Sequence, residues 1–242
     1  AKEAADIIIL DDNIKSISLA VLYGRTIFKN IRKFIIFQLT MNIGAMSLSI
    51  IGPFIGIDTP VTSMQMLWIN MIMDTLAGLA FAYEEPSYKY MDERPKGKNE
   101  PIINKYMYNE ICFTGFYSSI LCLLFLKIPF FKDLIRFDVD NRYLMTAFFA
   151  LFVFIGIFNA FNARTDKYNL FDRIMHNKMF IVIFLMVLVM QIIFIYYGGV
   201  LFRTYGLTIM ELVKVLLIGF SVIPVDLFRK YIFKHYRTGN CL

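Results

Sequence analysis

Asn70 and Asp74 stand four residues apart in "WINMIMDT", residues 68–75, inside an apolar run long enough to cross a bilayer. A carboxylate at membrane depth costs on the order of 2.5–3.5 kcal/mol on insertion scales, so an ionisable residue there is a functional candidate by default. An α-helix puts Asn70 one turn before Asp74 on the same face. On the preceding apolar run Asn42 lies near mid-span, with Gln38 one turn earlier. The two amide carbonyls of Asn42 and Asn70 and the carboxylate of Asp74 are hard oxygen ligands, suited to Ca²⁺, Mg²⁺ or similar ions and unsuited to thiophilic metals. Because Ca²⁺ takes about six to eight oxygens, these side chains cannot complete a site alone. Water or other helices must supply the rest. The plainer alternative is hydrogen bonding between helices, which suits Gln38, Asn159, Asn162 and Gln191. At position 74 an uncharged residue would make such a bond at lower cost.

The elements that must position these residues are transmembrane helices. Of the 242 residues, 58% are hydrophobic and 17% aromatic, and the mean hydropathy is +0.58. Six apolar runs have spanning length, at 34–52, 61–83, 108–128, 143–163, 178–198 and 208–228. The fold class is therefore all-α, a multi-pass membrane protein with six transmembrane helices. An even number puts both ends on one side of the membrane. Segments 1–33, 83–107, 164–177 and 229–242 hold 18 Lys and Arg, whereas 53–60, 129–142 and 199–207 hold 4. The positive-inside rule makes the first set, and both termini, cytoplasmic. The net charge of +6 is then accounted for by flanks lying beside anionic lipid, and no nucleic-acid partner is needed. Cys112, Cys122 and Cys241 have neither metal-ligand spacing nor a disulfide pattern, and His176 and His235 read as flank residues.

Upstream of the spans, "AKEAADIIILDDN" is not a signal peptide. Its short apolar run between charges reads as a buried strand, the remnant of a soluble α/β domain that lies mostly upstream. Asp11, Asp12 and Asn13 offer a helix start; Asp11 and Asp12 are better explained as a turn and cap than as Mg²⁺ ligands. From Ile14 a long helix is expected, about twice the hydrocarbon thickness, so that residues 14–33 form a stalk. There Ile17, Val21, Phe28 and Ile31 oppose Lys15, Arg25, Lys29 and Arg32, the pattern of a helix packed on other cytosolic structure. Gly52-Pro53 is expected to end this helix. The resulting organisation is 1–13 domain end, 14–33 stalk, 34–228 transmembrane domain and 229–242 tail. In the loop after residue 83, Glu84 and Glu85 read as a solvated face rather than a mouth for ions. Glu211 and Lys214 are expected to pair with each other or to snorkel. The basic tail suits a lipid-surface contact.

"AKEAADIIILDDN", the stalk with "FQLTMNIGA", and above all "MQMLWINMIMDTLAGLAFAYEEP" resemble the C-terminal third of P-type calcium-transporting ATPases of the plasma-membrane type and their bacterial relatives. "FNAFNAR" and "QIIFIYYGG" resemble the same family less specifically. The resemblance implies the last six of ten membrane helices, with Asn70 and Asp74 as Ca²⁺ ligands and Asn42 at the position of a ligand in two-site relatives. Where two-site pumps of the sarcoplasmic-reticulum type carry Glu, Thr and Glu, this chain has Ala45, Met73 and Gly156, implying one Ca²⁺ per ATP. It also implies partners outside these residues: actuator, nucleotide-binding and phosphorylation domains that use ATP and Mg²⁺, and the first four membrane helices. The motifs "DKTGT", "TGES" and "GDGxND" do not occur here, so no catalytic residue is assigned and this stretch alone is expected not to hydrolyse ATP. On the residues alone, other classes stay open: a secondary cation transporter with Asp74 as relay, a pump for Mn²⁺, which shares the oxygen preference, or a non-catalytic anchor.

Overall fold

The computed structural model describes residue 8 and residues 13–56, 60–97 and 100–233. The expected strand, Asp11, Asp12 and the tail beyond residue 233 lie outside the described residues. Helix α1 runs over Ile14–Phe54, α2 over Ser63–Ala82, α3 over Lys105–Lys127, α4 over Arg142–Arg164 and α5 over Lys178–Tyr197. All five are long and apolar enough to cross a membrane. Two shorter helices follow, α6 over Ile209–Phe220 and α7 over Val222–Ile232. No strand occurs among the described residues.

Local chemistry sets the helix starts. Asn13 caps α1 by accepting from Lys15 N at 3.0 Å. Thr62 and Gln65 form a reciprocal capping box on α2, as Thr208 and Glu211 do on α6. Each satisfies N–H groups that the first turn leaves without partners. Helix α1 has 41 residues, about 60 Å at 1.5 Å each. It continues through Pro53 to Phe54 and turns at Gly56, φ +74°. Proline breaks the ladder only toward its N-terminal side, so the stop comes two residues later than Gly52-Pro53 suggested.

The last predicted span, 208–228, is not one helix. It breaks at Ser221, whose N–H donates to Ile218 O at 3.1 Å and whose hydroxyl accepts from Tyr117 at 2.7 Å. Pro224 crowds the carbonyl four residues before it, which accounts for the break. Helix α4 is the axis of the bundle, with Ala147 to Ile155 all 1% exposed or less, so it is covered on every side. Helix α1 packs most extensively on α3 and also touches α2 and α4. The face of the stalk that is covered is the cationic one: Lys29, Arg32 and Lys33 are buried, while Ile17, Val21 and Ile31 are exposed. The loop after α2 lies along it as a strap. Arg25 donates to the carbonyls of Tyr90, Met91 and Glu93, Lys29 pairs with Glu93, and Arg32 Nε donates to Ile102 O at 2.7 Å. Backbone carbonyls and one carboxylate thus satisfy cations that amphipathic patterning assigns to water.

Candidate cation site

The "WINMIMDT" stretch is not regular α-helix. Trp68–Met73 form a π-helical segment inside α2, and the N–H of Asp74 donates to Ile69 O, five residues back. Such bulges widen the turn by one residue and recur at functional sites. The two polar residues differ in burial: Asp74 is 4% exposed, whereas Asn70 is exposed together with Met71 and Ile72. Trp68 anchors the segment, buried and edge-on to Phe194 of α5 with ring centroids 4.8 Å apart. Phe194 in turn stacks on Phe202 at 4.3 Å, and Gln65 Nε2 donates to Phe202 O at 2.7 Å.

Helices α1 and α2 are antiparallel neighbours: Asn30 and Lys33 of α1 meet Glu84 just after α2, and further along α1 Met41 meets Met73, earlier in α2, at Gly156. The Phe34 ring lies 3.4 Å from the position of a Cβ on Gly78, and the Phe37 and Phe81 rings are 6.0 Å apart. Counting outward from Phe34 and Gly78, eight residues along α1 reach Asn42, and the same count back along α2 reaches Asn70 with Asp74 on the way. The three polar residues thus occupy neighbouring levels about 6–12 Å from the crossing. Asn42 is half-buried, as is Gln38. The Oδ1 of Asp74 is buried and makes no hydrogen bond, an arrangement that leaves a hard oxygen free for a cation. Among the described residues no three Asp, Glu, His or Cys side chains gather into a metal site, and of Asn42, Asn70 and Asp74 only the last is a carboxylate.

Beside this region Met41, Met73 and Gly156 meet. A Cβ on Gly156 would lie 2.9 Å from Met41 Cε and 3.2 Å from Met73 Cε. Thioethers therefore fill the space at Gly156; Ala45, one turn after Met41 on α1, is 5% exposed. Thioethers are weak ligands for hard cations.

Two sets of polar groups differ from their sequence-based reading. Glu84 is not a solvated loop residue: its side chain is 13% exposed and pairs with Lys33 at 3.2 Å and Arg164 at 2.7 Å; Glu85 is exposed. Glu211 and Lys214 do not pair with each other. Glu211 takes Arg136 Nε at 3.0 Å and caps Thr208, while Lys214 Nζ donates to Leu134 O at 3.2 Å. Asp226 is fully buried, bonded to Arg229 at 2.7 Å and Lys230 at 2.9 Å. The i,i+3 and i,i+4 spacing of these charges was the available signal.

A helical bundle with five helices long and apolar enough to cross a bilayer defines the class of multi-pass membrane proteins. The model of the family described as "Cation transporting ATPase, C-terminus" matches residues 58–232, and the chain belongs to that family. It is 36% identical over 234 residues to plasma membrane calcium-transporting ATPase mca-1 of Caenorhabditis elegans, covering 92% of this chain and 18% of that protein. It is 37% identical over 238 residues to calcium-transporting ATPase 8, plasma membrane-type, of Arabidopsis thaliana, covering 96% and 22%. With plasma membrane calcium-transporting ATPase 1 of Homo sapiens the identity is 38% over 239 residues, covering 92% and 19%. The chain spans about a fifth of the length of the curated relatives it matches.

Proposed function

We propose that this chain is the transport part of an ATP-driven calcium pump, with α1 and α2 supplying Asn42, Asn70 and Asp74 to a single Ca²⁺ site at mid-membrane. The observation that carries the reading is the buried, unbonded Oδ1 of Asp74 beside a π-helical segment. A carboxylate kept in that state needs a cation or a proton to offset its desolvation. Asn70, exposed on the outer face of α2, donates from that face only when further helices or main-chain oxygens close around the ion. The filling of the neighbouring space by Met41 and Met73 against Gly156 supports one ion rather than two.

In the intact parent, phosphorylation by ATP with Mg²⁺ takes place in upstream domains and moves the stalk. The parent sits in the plasma membrane with both termini of this region cytoplasmic. In that parent, Asp74→Asn is expected to abolish Ca²⁺-dependent phosphorylation by ATP. Unchanged Ca²⁺ affinity in the variant would remove Asp74 from the site. The same assay with Mn²⁺ in place of Ca²⁺ decides between the two cargoes, and bound ion per phosphoenzyme is expected to be one.

A further inference from the structure

Where α2 ends, a single carboxylate joins three other helices. Glu84 Oε2 accepts from Lys33 Nζ of the stalk at 3.2 Å. Its Oε1 accepts from Arg164 Nε at the end of α4 at 2.7 Å, and from Asn177 Nδ2 at 3.1 Å. Asn177 is also the cap of α5, accepting from Phe180 N. The Glu84 carbonyl takes a further bond from Asn30 Nδ2 of α1 at 3.2 Å. Lys33 and Arg164 are 5% and 2% exposed. Buried cations of this kind are strongly held, because losing the partner strands a charge in low dielectric.

The junction lies in line with the candidate site. Nine residues along α1 separate Lys33 from Asn42, and ten along α2 separate Asp74 from Glu84, about 14–15 Å in each case. Between these levels Phe34 packs on Gly78 and Phe37 on Phe81, so the two helices are in side-chain contact along the way. Packed side chains and rigid helices of this sort carry displacement from one place to another.

We propose that Glu84 is a positioning residue that locks α2 to the stalk, so that a displacement of α1 reaches Asn42 and Asp74 as one movement, with Arg164 and Asn177 as the fixed side of the joint. The inference rests on the calcium-pump reading above. Lys33→Met removes the stalk's charge from the joint and leaves Glu84 paired with Arg164; Glu84→Gln removes the joint itself. Both are made in the intact pump, and bound Ca²⁺ and ATP-formed phosphoenzyme are measured on one preparation. The readout is phosphoenzyme per bound Ca²⁺, in which unfolded molecules do not count. This ratio is expected to fall at least tenfold in both variants, with the Kd for Ca²⁺ within threefold of the parent. Glu84→Asp should recover part of the ratio, and Glu85→Gln should leave it parental. A parental ratio in Lys33→Met and Glu84→Gln overturns the proposal. So does loss of Ca²⁺ binding in both, because those side chains would then hold the site rather than couple it. Failure of the pump reading itself looks different: the unsubstituted parent would form no Ca²⁺-dependent phosphoenzyme.

Discussion

At the scale of single residues, two buried glycines sit at helix contacts with opposite tolerance. A Cβ on Gly115 of α3 would lie 2.9 Å from Ile43 Cγ2, 3.1 Å from Ile43 Cβ and 3.4 Å from the carbonyl of Thr40. Ile43 is β-branched and stiff at χ1, and a carbonyl on α1 cannot yield without moving the helix. Small residues let membrane helices approach this closely, and overpacking such a contact typically costs about 1–3 kcal/mol. On Gly156 the atoms met are the tips of Met41 and Met73, which swing aside easily, and alanine also brings a helix-propensity gain of roughly 1 kcal/mol. Gly115→Ala is therefore expected to lower the melting temperature in detergent clearly, and Gly156→Ala to leave it within a few degrees. The reverse order would show that the α1–α3 contact is looser than drawn.

At the scale of elements, the strap after α2 gives a pH dependence with a definite sign. Burial pushes the Glu84 carboxyl up, but Lys33 and Arg164 beside it, with hydrogen bonds from Asn177 and Arg164, hold it below the ordinary glutamate value of 4.5. A depressed folded pKa contributes stability that is fully present above the unfolded pKa and is lost as pH falls through the folded one. Amide exchange in residues 84–97, corrected for its intrinsic rate, should thus stay slow from neutral pH down to 4.5 and accelerate only on further acidification. In Glu84→Gln that acid step should disappear from the same amides. Exchange that quickens above pH 4.5 in the unsubstituted chain would contradict the paired state. The strap was visible in the sequence as a Pro- and charge-rich connection, but not its partner. Pairing Lys33 with Glu84 means bringing together residues 51 apart in the chain, and no local periodicity encodes that.

At the scale of the whole molecule, α7 is fastened to the bundle by charge buried at its centre. Arg229 reaches Glu110 of α3 at 3.0 Å and Asp226 at 2.7 Å. Lys230 pairs with Asp226 at 2.9 Å and donates to the carbonyls of Asn162 and Thr165. Removing one partner of such a cluster costs about 3–5 kcal/mol, because the others stay buried and uncompensated. Arg229→Met should therefore lower thermal stability more than any single aliphatic truncation on the exposed face of α5, as read by a melt in detergent; equal effects would mean the cluster is open to water. Of the six predicted spans, 208–228 is two shorter helices. The other five are single helices of spanning length and were legible in the sequence, because hydrocarbon thickness dictates run length and backbone groups in lipid must bond within a helix. So was Asp74 as the residue to watch, since a carboxylate at that depth is expensive wherever its helix points. Tertiary structure alone decided which polar groups are used and how. Asp74 is buried while Asn70 is exposed, Pro224 and Ser221 divide the last span, and methionines close the space at Gly156. Glu84, Asp226 and Glu211 found cations on other helices, one turn away, or on the connection between α3 and α4. Spans follow from local transfer free energy, summed residue by residue. Pairings depend on which helices meet, and that contact is set by packing between segments far apart in the chain.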